Sequence, residues 1–392
     1  MVMTVKKSYE EINQRIKEGR AVVVTAEEII EIVKEKGVKE AAKAVDVVTT
    51  ATFGPMCSTG AFLNFGHADP PIRMATVSLN NVPAYGGIAA VDAYIGATEP
   101  SEDKGMEYGG AHVIQDLIDG KKVLLKATSH GTDCYPRTEI ETYVTKDSLN
   151  QAYLFNPRNA YQNYTAAINT SDRVLYTYMG ILQPRMGNIT YCSAGELSPL
   201  LNDPLYRTIG IGTRIFLGGA VGYVSWEGTQ HNPSKERGQN NVPMSNAGTL
   251  ALTGNLKDMD SRYIRAAVFE RYGCTMFVGI GIPIPILDEE LMEQVSVQNK
   301  DIFTDMVDYS VPFRNKPSFG RVSYEQLRSG IVEIQGKQVR TSPLSSLAKA
   351  REIAHLLKQS ISAGEFFVEK PVQQLPIFAK PHTLEIIGKE EW

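Results

Sequence analysis

Two of the four cysteines lie in sequence surroundings that favour a reactive thiol. Cys57 and Cys134 are flanked by glycine, proline, serine, threonine and aspartate. Such neighbours form loops, which expose a thiol and leave backbone N–H groups free to stabilise the thiolate, the form that attacks electrophiles. The sequence therefore indicates nucleophilic or sulfur-transfer chemistry at one or both positions.

The other two cysteines have different surroundings. Cys274 lies in an apolar, strand-like run, where a free cysteine commonly behaves as a small hydrophobic residue, so we predict a structural role. Cys192 is flanked by turn residues and could line a site, although packing is the simpler expectation. The wide spacing of the four cysteines matches neither a small disulfide scaffold nor a zinc or ferredoxin motif.

Groups suited to proton transfer and to binding a carboxylate lie around Cys134. His130 precedes it by four residues and Arg137 follows it by three. His130 is a candidate acid or base, although a lone loop histidine is more often solvated or hydrogen-bonded. Arg137 is a candidate for a bidentate carboxylate contact, although many arginines are members of surface ion pairs.

Two further candidates for substrate binding lie elsewhere in the chain. Arg73 ends the polar segment 65–73 that follows Cys57, and His231 lies in a polar loop with a neighbouring glycine. Six glycines between residues 209 and 231 indicate either tight turns and close packing or a backbone cradle for substrate.

A phosphate loop is absent from the sequence, and Gly210-Ile-Gly212 lacks the third glycine of a dinucleotide fingerprint.

Predicted secondary structure places the two reactive cysteines in similar positions. The β-branched run at 46–52 predicts a strand that ends just before the turn with Cys57. Cys134 lies between a short strand at 123–127 and an alternating hairpin strand at 138–145. Helices are predicted from capping residues and apolar periodicity at 8–19, 25–37, 38–45, 260–271, from 288 onward, and at 342–364.

Composition bounds the class of protein. The 392 residues are 43% hydrophobic and 21% charged, which suffices for a large buried core, and neither a repeat nor a linker is evident. We therefore expect one large α/β body with glycine-rich loops and an unassigned strand order, a mixed α+β arrangement remaining open.

The net charge of −4 without a dense basic run argues against nucleic-acid binding. The longest apolar run, at 276–287, is too short to span a bilayer, and the N-terminus has no signal-peptide pattern, so we expect a cytoplasmic location and no membrane partner.

Several segments of the chain resemble the homocysteine-biosynthesis family, the L-aspartate semialdehyde sulfurtransferases of methanogenic archaea and some anaerobic bacteria. The resemblance extends from about residue 8 to about residue 375. The matching segments are ATFGPMCSTG at 51–60, HGTDCYPR at 130–137, LSPLLNDP at 197–204, GIGTRIFLGG at 210–219, EGTQH at 227–231 and GIGIPIPI at 279–286.

This resemblance implies two functional cysteines, Cys57 and Cys134, with Cys134 bearing an essential persulfide. It assigns no role to Cys192 or Cys274. Some archaeal members continue into a pair of ligand-sensing CBS modules. For this chain we expect a single sulfurtransferase domain over residues 1–392, with neither CBS nor ferredoxin module attached.

The implied reaction consumes electrons. An aldehyde and sulfide, with loss of water, give a thioaldehyde, and two electrons and two protons are then needed to form the thiol of homocysteine. The sequence has neither a nicotinamide fingerprint nor clustered cysteines, so we expect the electrons to come from an external, ferredoxin-like iron–sulfur protein. The other expected partners are L-aspartate semialdehyde and sulfide or another sulfur donor, and a homo-oligomer remains open.

The corresponding mechanism begins when sulfide attacks an oxidised Cys57–Cys134 pair, or when another donor loads Cys134. The terminal sulfur of the persulfide then reaches the aldehyde carbon and the second thiol helps to release it. A Cys57–Cys134 disulfide requires Cα atoms within about 7 Å. The substrate carboxylate and the developing oxyanion would be held by some of Arg73, Arg137, His130, His231 and the glycine-loop amides.

Three alternatives remain open at this point. An iron–sulfur cluster could be held by Cys57, Cys134 and a third ligand, for which Cys192 is a candidate, since cluster ligands need not be sequential. A cofactor-free hydrolase could use Cys134 with His130 or His231. The chain could also be a non-catalytic amino-acid-binding protein with incidental cysteines.

Overall fold

The structure is a computed structural model and describes residues 5–384. Seven α-helices are formed within this range: α1 (Tyr9–Lys17), α2 (Glu28–Ala44), α3 (Gly110–Ile118), α4 (Pro199–Asn202), α5 (Glu289–Val295), α6 (Tyr324–Arg328) and α7 (Leu347–Ser362). The strands in the first part of the chain are β1 (Val23–Thr25), β2 (Val47–Pro55), β3 (Gly60–Asn64), β4 (Thr76–Leu79), β5 (Val82–Ala84), β6 (Asp92–Gly96), β7 (Pro100–Ser101), β8 (Gly105–Gly109), β9 (Val123–Thr128), β10 (Glu139–Val144), β11 (Gln151–Asn159), β12 (Ala166–Ile168), β13 (Leu175–Thr177), β14 (Gly180–Leu182) and β15 (Asn188–Tyr191). The later strands are β16 (Gly210–Ile211), β17 (Arg214–Leu217), β18 (Ala220–Glu227), β19 (Leu250–Asn255), β20 (Ile264–Phe269), β21 (Gly273–Pro285), β22 (Phe303–Asp308), β23 (Ser318–Ser323), β24 (Ile331–Ile334), β25 (Lys337–Pro343) and β26 (Gln373–Gln374).

A ten-stranded mixed sheet forms the centre of the protein. Its order is β1-β2-β21-β17-β18-β19-β11-β3-β6, with β20 also paired to β21. Strands β2 and β21 pair antiparallel over nine residues, from Val47 opposite Pro285 to Pro55 opposite Phe277. Both strands are rich in valine, isoleucine and threonine and are almost entirely buried, as expected for a sheet covered on both faces.

The long helix α7 covers β2 and β21 on one face of this sheet. Its Ile353 contacts the backbone at Gly279 and Gly281, where an added Cβ atom would lie 2.8 Å and 3.1 Å from the isoleucine side chain. Glycine at these two positions therefore permits close packing of helix on strand.

Two smaller sheets flank the central one and carry the remaining loops of interest. A four-stranded sheet has the order β10-β9-β4-β5, and a six-stranded sheet has the order β23-β22-β12-β15-β25-β24. The first supports the loop with Cys134, and the second includes β15, which ends just before Cys192. The mixed α/β class expected from the sequence is confirmed.

The helices predicted near the N-terminus are confirmed. The capping box between Ser8 and Glu11 begins α1, and Thr25 and Glu28 form reciprocal hydrogen bonds at the start of α2. Within α2, Gly37 has φ +76° and separates two helical stretches, in agreement with the two adjacent predicted helices.

The predicted helix at 260–271 is wrong. Residues Ile264–Phe269 instead form β20, which pairs antiparallel with β21, so a long-range strand pairing overrides the local helix propensity. The last helix also begins later than predicted: Ser346 caps α7, whereas Ser342 and Pro343 belong to β25. Within the described range, none of the helices combines the length and the apolar character needed to cross a membrane.

Candidate active site

A cavity of about 360 Å³ lies where the central sheet meets the strands that carry Cys192. Its volume is within the range of small-molecule sites. It is lined by residues from segments far apart in sequence: Thr52, Pro55, Met56, Cys57, Ser58, Arg158, Ala160, Tyr161, Tyr164, Tyr178, Met179, Cys192, Ser193, Ser198, Pro199, Gln230 and Tyr272.

Cys57 lies in the turn between β2 and β3, as the sequence predicts. The Met56 N–H donates to the Met276 carbonyl at 2.7 Å, and the Thr59 hydroxyl donates to the Met56 carbonyl at 2.7 Å. The half-buried Cys57 sulfur lies 3.2 Å from Oγ1 of Thr275 on β21. The thiol is therefore held by both the turn and the neighbouring long strand.

The residue after Cys57 joins this turn to β11. The Ser58 hydroxyl lies 3.1 Å from both the Arg158 carbonyl oxygen and Oδ1 of Asn156, and can donate to either. Asn156 is fully buried and donates through Nδ2 to Oγ1 of Thr59 at 2.7 Å. The backbone at Arg158 is thus fixed relative to the Cys57 turn.

Cys192 also lines the cavity, directly after β15. An added Cβ atom at Gly54 would lie 3.3 Å from its sulfur, so the thiol packs closely against β2. Burial raises the pKa of Cys192 to about 12, and the nearby Cys57 adds to the rise. Cys192 therefore stays a protonated thiol at neutral pH, in contrast to a reactive thiolate.

Four tyrosines form much of the remaining wall. The rings of Tyr161 and Tyr164 pack edge to face with centroids 4.8 Å apart, and Tyr178 packs edge to face on Tyr272 at 6.1 Å. Burial raises the pKa of Tyr161 and of Tyr272 to about 12, and the nearby Cys57 contributes to the rise at Tyr272. These hydroxyls remain protonated and can donate hydrogen bonds to an oxyanion.

Cys134 lies outside this cavity lining, on the loop that joins β9 to β10. The cysteine is exposed. The loop packs on the segment after β3: Arg137 donates from Nε to the Pro70 carbonyl and from Nη2 to the Asp69 carbonyl, both at 2.9 Å. Tyr135 stacks on His67 with centroids 6.0 Å apart. The loop therefore presents the Cys134 thiol at the surface.

The two predicted functional cysteines lie towards opposite ends of β3. Cys57 precedes Gly60, the first residue of the strand, whereas the Cys134 loop contacts the chain after Asn64, its last residue. A strand of five residues spans about 13 Å, and a disulfide requires Cα atoms within about 7 Å. In this conformation of one chain, a direct bond between Cys57 and Cys134 would require the loop at 129–138 to move.

The remaining predicted site residues are not gathered in the Cys57 cavity. Arg73 and His130 line a separate cavity of about 290 Å³, and Arg137 lines a groove of about 900 Å³ beside the four-stranded sheet. His231 is 5% exposed. Its Nδ1 accepts from the Thr249 N–H at 3.0 Å, so its Nε2 carries the proton and donates to the Pro376 carbonyl at 2.9 Å. The structure therefore gives His231 a bridging role between backbone segments.

The structure does not bring together the three cysteines that were considered as ligands of an iron–sulfur cluster. Cys57 and Cys192 share the cavity, whereas Cys134 is on the exposed loop. Residues 5–384 contain no group of three or more histidine, cysteine, aspartate or glutamate side chains that could bind a metal ion. The residues present in the cavity do not by themselves fit an iron–sulfur cluster held by three cysteines.

Sequence reasoning missed the residues that line the cavity beside Cys57. Arg158, Tyr161 and Tyr272 come from β11, the segment that follows it and the turn between β20 and β21. None of them belongs to a local motif with a recognised spacing. Only the pairing of β11 with β3 and of β2 with β21 brings them to Cys57.

Comparison with known proteins adds independent information. Residues 21–368 match the family described as homocysteine biosynthesis enzyme, sulfur-incorporation. A protein of Methanosarcina acetivorans named L-aspartate semialdehyde sulfurtransferase is 55% identical over 371 residues, which are 95% of this chain and 72% of that protein. A protein of Methanocaldococcus jannaschii with the same name is 52% identical over 386 residues, or 95% of this chain and 74% of that protein. No solved structure matches the chain significantly.

Proposed function

The chain belongs to the homocysteine biosynthesis enzyme, sulfur-incorporation family, and from this membership we propose that it is an L-aspartate semialdehyde sulfurtransferase whose reaction takes place in the Cys57 cavity. Two relatives above 50% identity carry that name. The observation that carries the assignment of the site is the half-buried Cys57 thiol in the wall of a cavity rich in hydroxyl groups.

The net reaction sets what the protein must accommodate. L-aspartate semialdehyde, hydrogen sulfide, two electrons and two protons give L-homocysteine and water. We assign the electrons to an external, ferredoxin-like iron–sulfur protein. The chain itself binds the aldehyde, presents the sulfur and donates hydrogen bonds to the oxygen that becomes an oxyanion.

Cysteine persulfide is the proposed carrier of sulfur. Cys134, on its exposed loop, receives sulfur from the donor as a persulfide. The Cys57 thiolate attacks the terminal sulfur, so that one S–S bond forms as another breaks and Cys134 leaves as a thiolate. This exchange consumes no electrons. It requires the loop at 129–138 to reach the cavity, either within one chain or from a second copy.

Carbon–sulfur bond formation then takes place in the cavity. The terminal sulfur on Cys57 attacks the aldehyde carbon, and the carbonyl electron pair moves to oxygen, which accepts a proton beside the tyrosine hydroxyls. The external donor reduces the S–S bond with two electrons, restoring the Cys57 thiol. Loss of water from the released hydroxythiol gives a thioaldehyde, which two further electrons and two protons convert to the thiol. When sulfide is the source, it attacks a Cys57–Cys134 disulfide, so that the S–S bond to Cys134 of the persulfide forms while the bond between the two cysteines breaks and Cys57 leaves as a thiolate. Formation of that disulfide from the two thiols passes two electrons and two protons to the oxidised external iron–sulfur protein and the solvent, so two of the four electrons are returned and the net reaction consumes two.

An anaerobic assay with L-aspartate semialdehyde, sulfide and a low-potential reductant tests the proposal. We expect homocysteine from the wild type and its loss in both Cys57→Ala and Cys134→Ala. Cys274→Ala is the matched control, since Cys274 is buried and bonds the Met106 carbonyl outside the cavity. Thermal midpoints establish that each variant is folded.

Other outcomes would identify a different function. Full activity in folded Cys57→Ala would show that the reaction does not depend on Cys57 and would contradict the assignment of the active site to this cavity. Hydrolysis of an amide or ester without reductant would indicate a cysteine hydrolase, and binding of the semialdehyde without turnover by any variant would indicate a binding protein.

A further inference from the structure

The cavity beside Cys57 has an uneven distribution of charge. Of the residues that line it within the described range, Arg158 is the one with a full charge at neutral pH, since aspartate, glutamate, lysine and histidine are missing from the lining. The other polar groups are hydroxyls, thiols and the amide of Gln230. An anionic group on a ligand would therefore meet a positive potential in this cavity.

The Arg158 guanidinium has no protein partner across residues 5–384. It forms neither an ion pair nor a side-chain hydrogen bond there, whereas Arg207, Arg321 and Arg351 each pair with a carboxylate. Its backbone, in contrast, is fixed: the N–H donates to Oδ1 of Asn156 at 3.0 Å, and the carbonyl is within 3.1 Å of the Ser58 hydroxyl. Arg158 is a half-buried residue of the cavity lining that also includes Cys57, and a guanidinium without a protein partner is suited to bind a ligand carboxylate with two parallel hydrogen bonds.

We propose that Arg158 binds the substrate carboxylate and is the main determinant of specificity for ω-oxo acids over other aldehydes. This inference rests on the proposed function and adds the group that orients the substrate. With the carboxylate on Arg158, the aldehyde at the other end of the four-carbon chain is directed towards Cys57. Because the lining offers only neutral acceptors to an ammonium group, the substrate's amine contributes less to recognition than its carboxylate.

Three aldehydes separate the two charged groups of the substrate. L-aspartate semialdehyde has both, succinic semialdehyde has the carboxylate alone, and 3-aminopropanal has the amine alone. We compare the kcat/KM of each analogue in the wild type with that of L-aspartate semialdehyde. We expect the decrease to be about 10- to 100-fold larger for 3-aminopropanal than for succinic semialdehyde, because losing hydrogen bonds to a charged group lowers kcat/KM by about this factor. In Arg158→Met this difference should disappear, while Arg158→Lys should retain part of it.

Binding measured without turnover provides a second readout. Succinic semialdehyde, added without sulfide or reductant, should raise the thermal midpoint of the wild type and of Arg265→Met, the control variant of an exposed arginine on β20 outside the cavity. It should not raise the midpoint of Arg158→Met. Only backbone atoms of Arg158 take part in its hydrogen bonds to the protein, so we expect the variants to fold.

The outcomes distinguish this inference from the proposed function. Absence of homocysteine formation by the wild type would overturn the function itself. Turnover by the wild type, together with carboxylate selectivity that survives in Arg158→Met, would overturn the role of Arg158. Loss of that selectivity in Arg73→Met or Arg137→Met instead would assign carboxylate binding to the outer loops.

Discussion

The sulfur atom of Cys57 and the hydroxyl oxygen of Thr275 lie 3.2 Å apart. Thr275 is fully buried on β21, so its hydroxyl has a fixed position beside the thiol. When Cys57 is ionised, this hydroxyl is a donor to the thiolate, and such hydrogen bonds to a charged group are stronger than those between neutral groups. The central sheet thus contributes directly to the chemistry of the turn.

Replacing Thr275 by valine should slow the reactions of Cys57. The substitution removes the hydroxyl at nearly constant volume, and we expect the rate of Cys57 alkylation by iodoacetamide at pH 8 to fall about tenfold, which corresponds to one hydrogen bond to a charged atom. Peptide mapping by mass spectrometry measures the rate at Cys57 alone. Thr253→Val on β19, whose hydroxyl bonds the Leu154 carbonyl, is the control. Equal Cys57 rates in the wild type and Thr275→Val would contradict a role for this hydroxyl.

Cys192 should resist alkylation at neutral pH. Because burial raises its pKa to about 12, the thiol stays protonated below that value, and its thiolate fraction grows about tenfold for each pH unit up to it. In the native protein we expect labelling of Cys192 to be far slower than that of the exposed Cys134 at pH 8 and to rise steadily towards pH 10. Similar labelling of the two cysteines at pH 8 would be inconsistent with a half-buried thiol that stays protonated.

A side chain at Gly54 should disturb the Cys192 side of the cavity. An added Cβ atom would lie 3.3 Å from the Cys192 sulfur and 3.5 Å from Cβ of Ser345, and the further methyl groups of valine extend beyond it. We expect Gly54→Val to lower the free energy of unfolding by about 1–3 kcal/mol, as overpacked core substitutions do. Urea denaturation measures the change. Gly96→Val, at a position where an added Cβ atom meets nothing within 4 Å, should lose less, and an equal loss in both variants would rule out local crowding as the cause.

His231 should stabilise the fold through both ring nitrogens. Its replacement by phenylalanine leaves the buried Thr249 N–H and the Pro376 carbonyl without these partners, so we expect a loss of about 1–3 kcal/mol in the free energy of unfolding. Chemical denaturation at pH 8 provides the measurement. The control is His355→Phe, at an exposed position on α7. An unchanged free energy of unfolding in His231→Phe would contradict this stabilising role. Substrate binding, the role predicted from the sequence, would then be the function to test for His231.

Local signals predicted the parts of the site that depend on short segments. The turn with Cys57 follows from a β-branched run that ends at a Gly-Pro step, and the Cys134 loop follows from the alternation of β9 and β10. The helices α1 and α2 follow from capping residues three positions apart. In each case the residues that decide the structure are near neighbours in sequence.

Relationships between distant segments could not be predicted in this way. The place of Arg158 beside Cys57 depends on the pairing of β11 with β3, and that of Cys192 depends on the packing of the chain after β15 against Gly54 of β2. The strand at Ile264–Phe269 exists because β21 offers it a partner. The same limit applies to the expected proximity of Cys57 and Cys134. The sequence predicts similar turns around both cysteines, but it does not predict the distance between these turns in the fold.

The hydrogen bonds that join Ser58, Asn156 and Arg158 have a consequence for the energetics of turnover. The thiol-bearing turn and the guanidinium-bearing strand lose their relative freedom once, when the chain folds, rather than each time a substrate arrives. An incoming aldehyde then gives up mainly its own translational and rotational entropy.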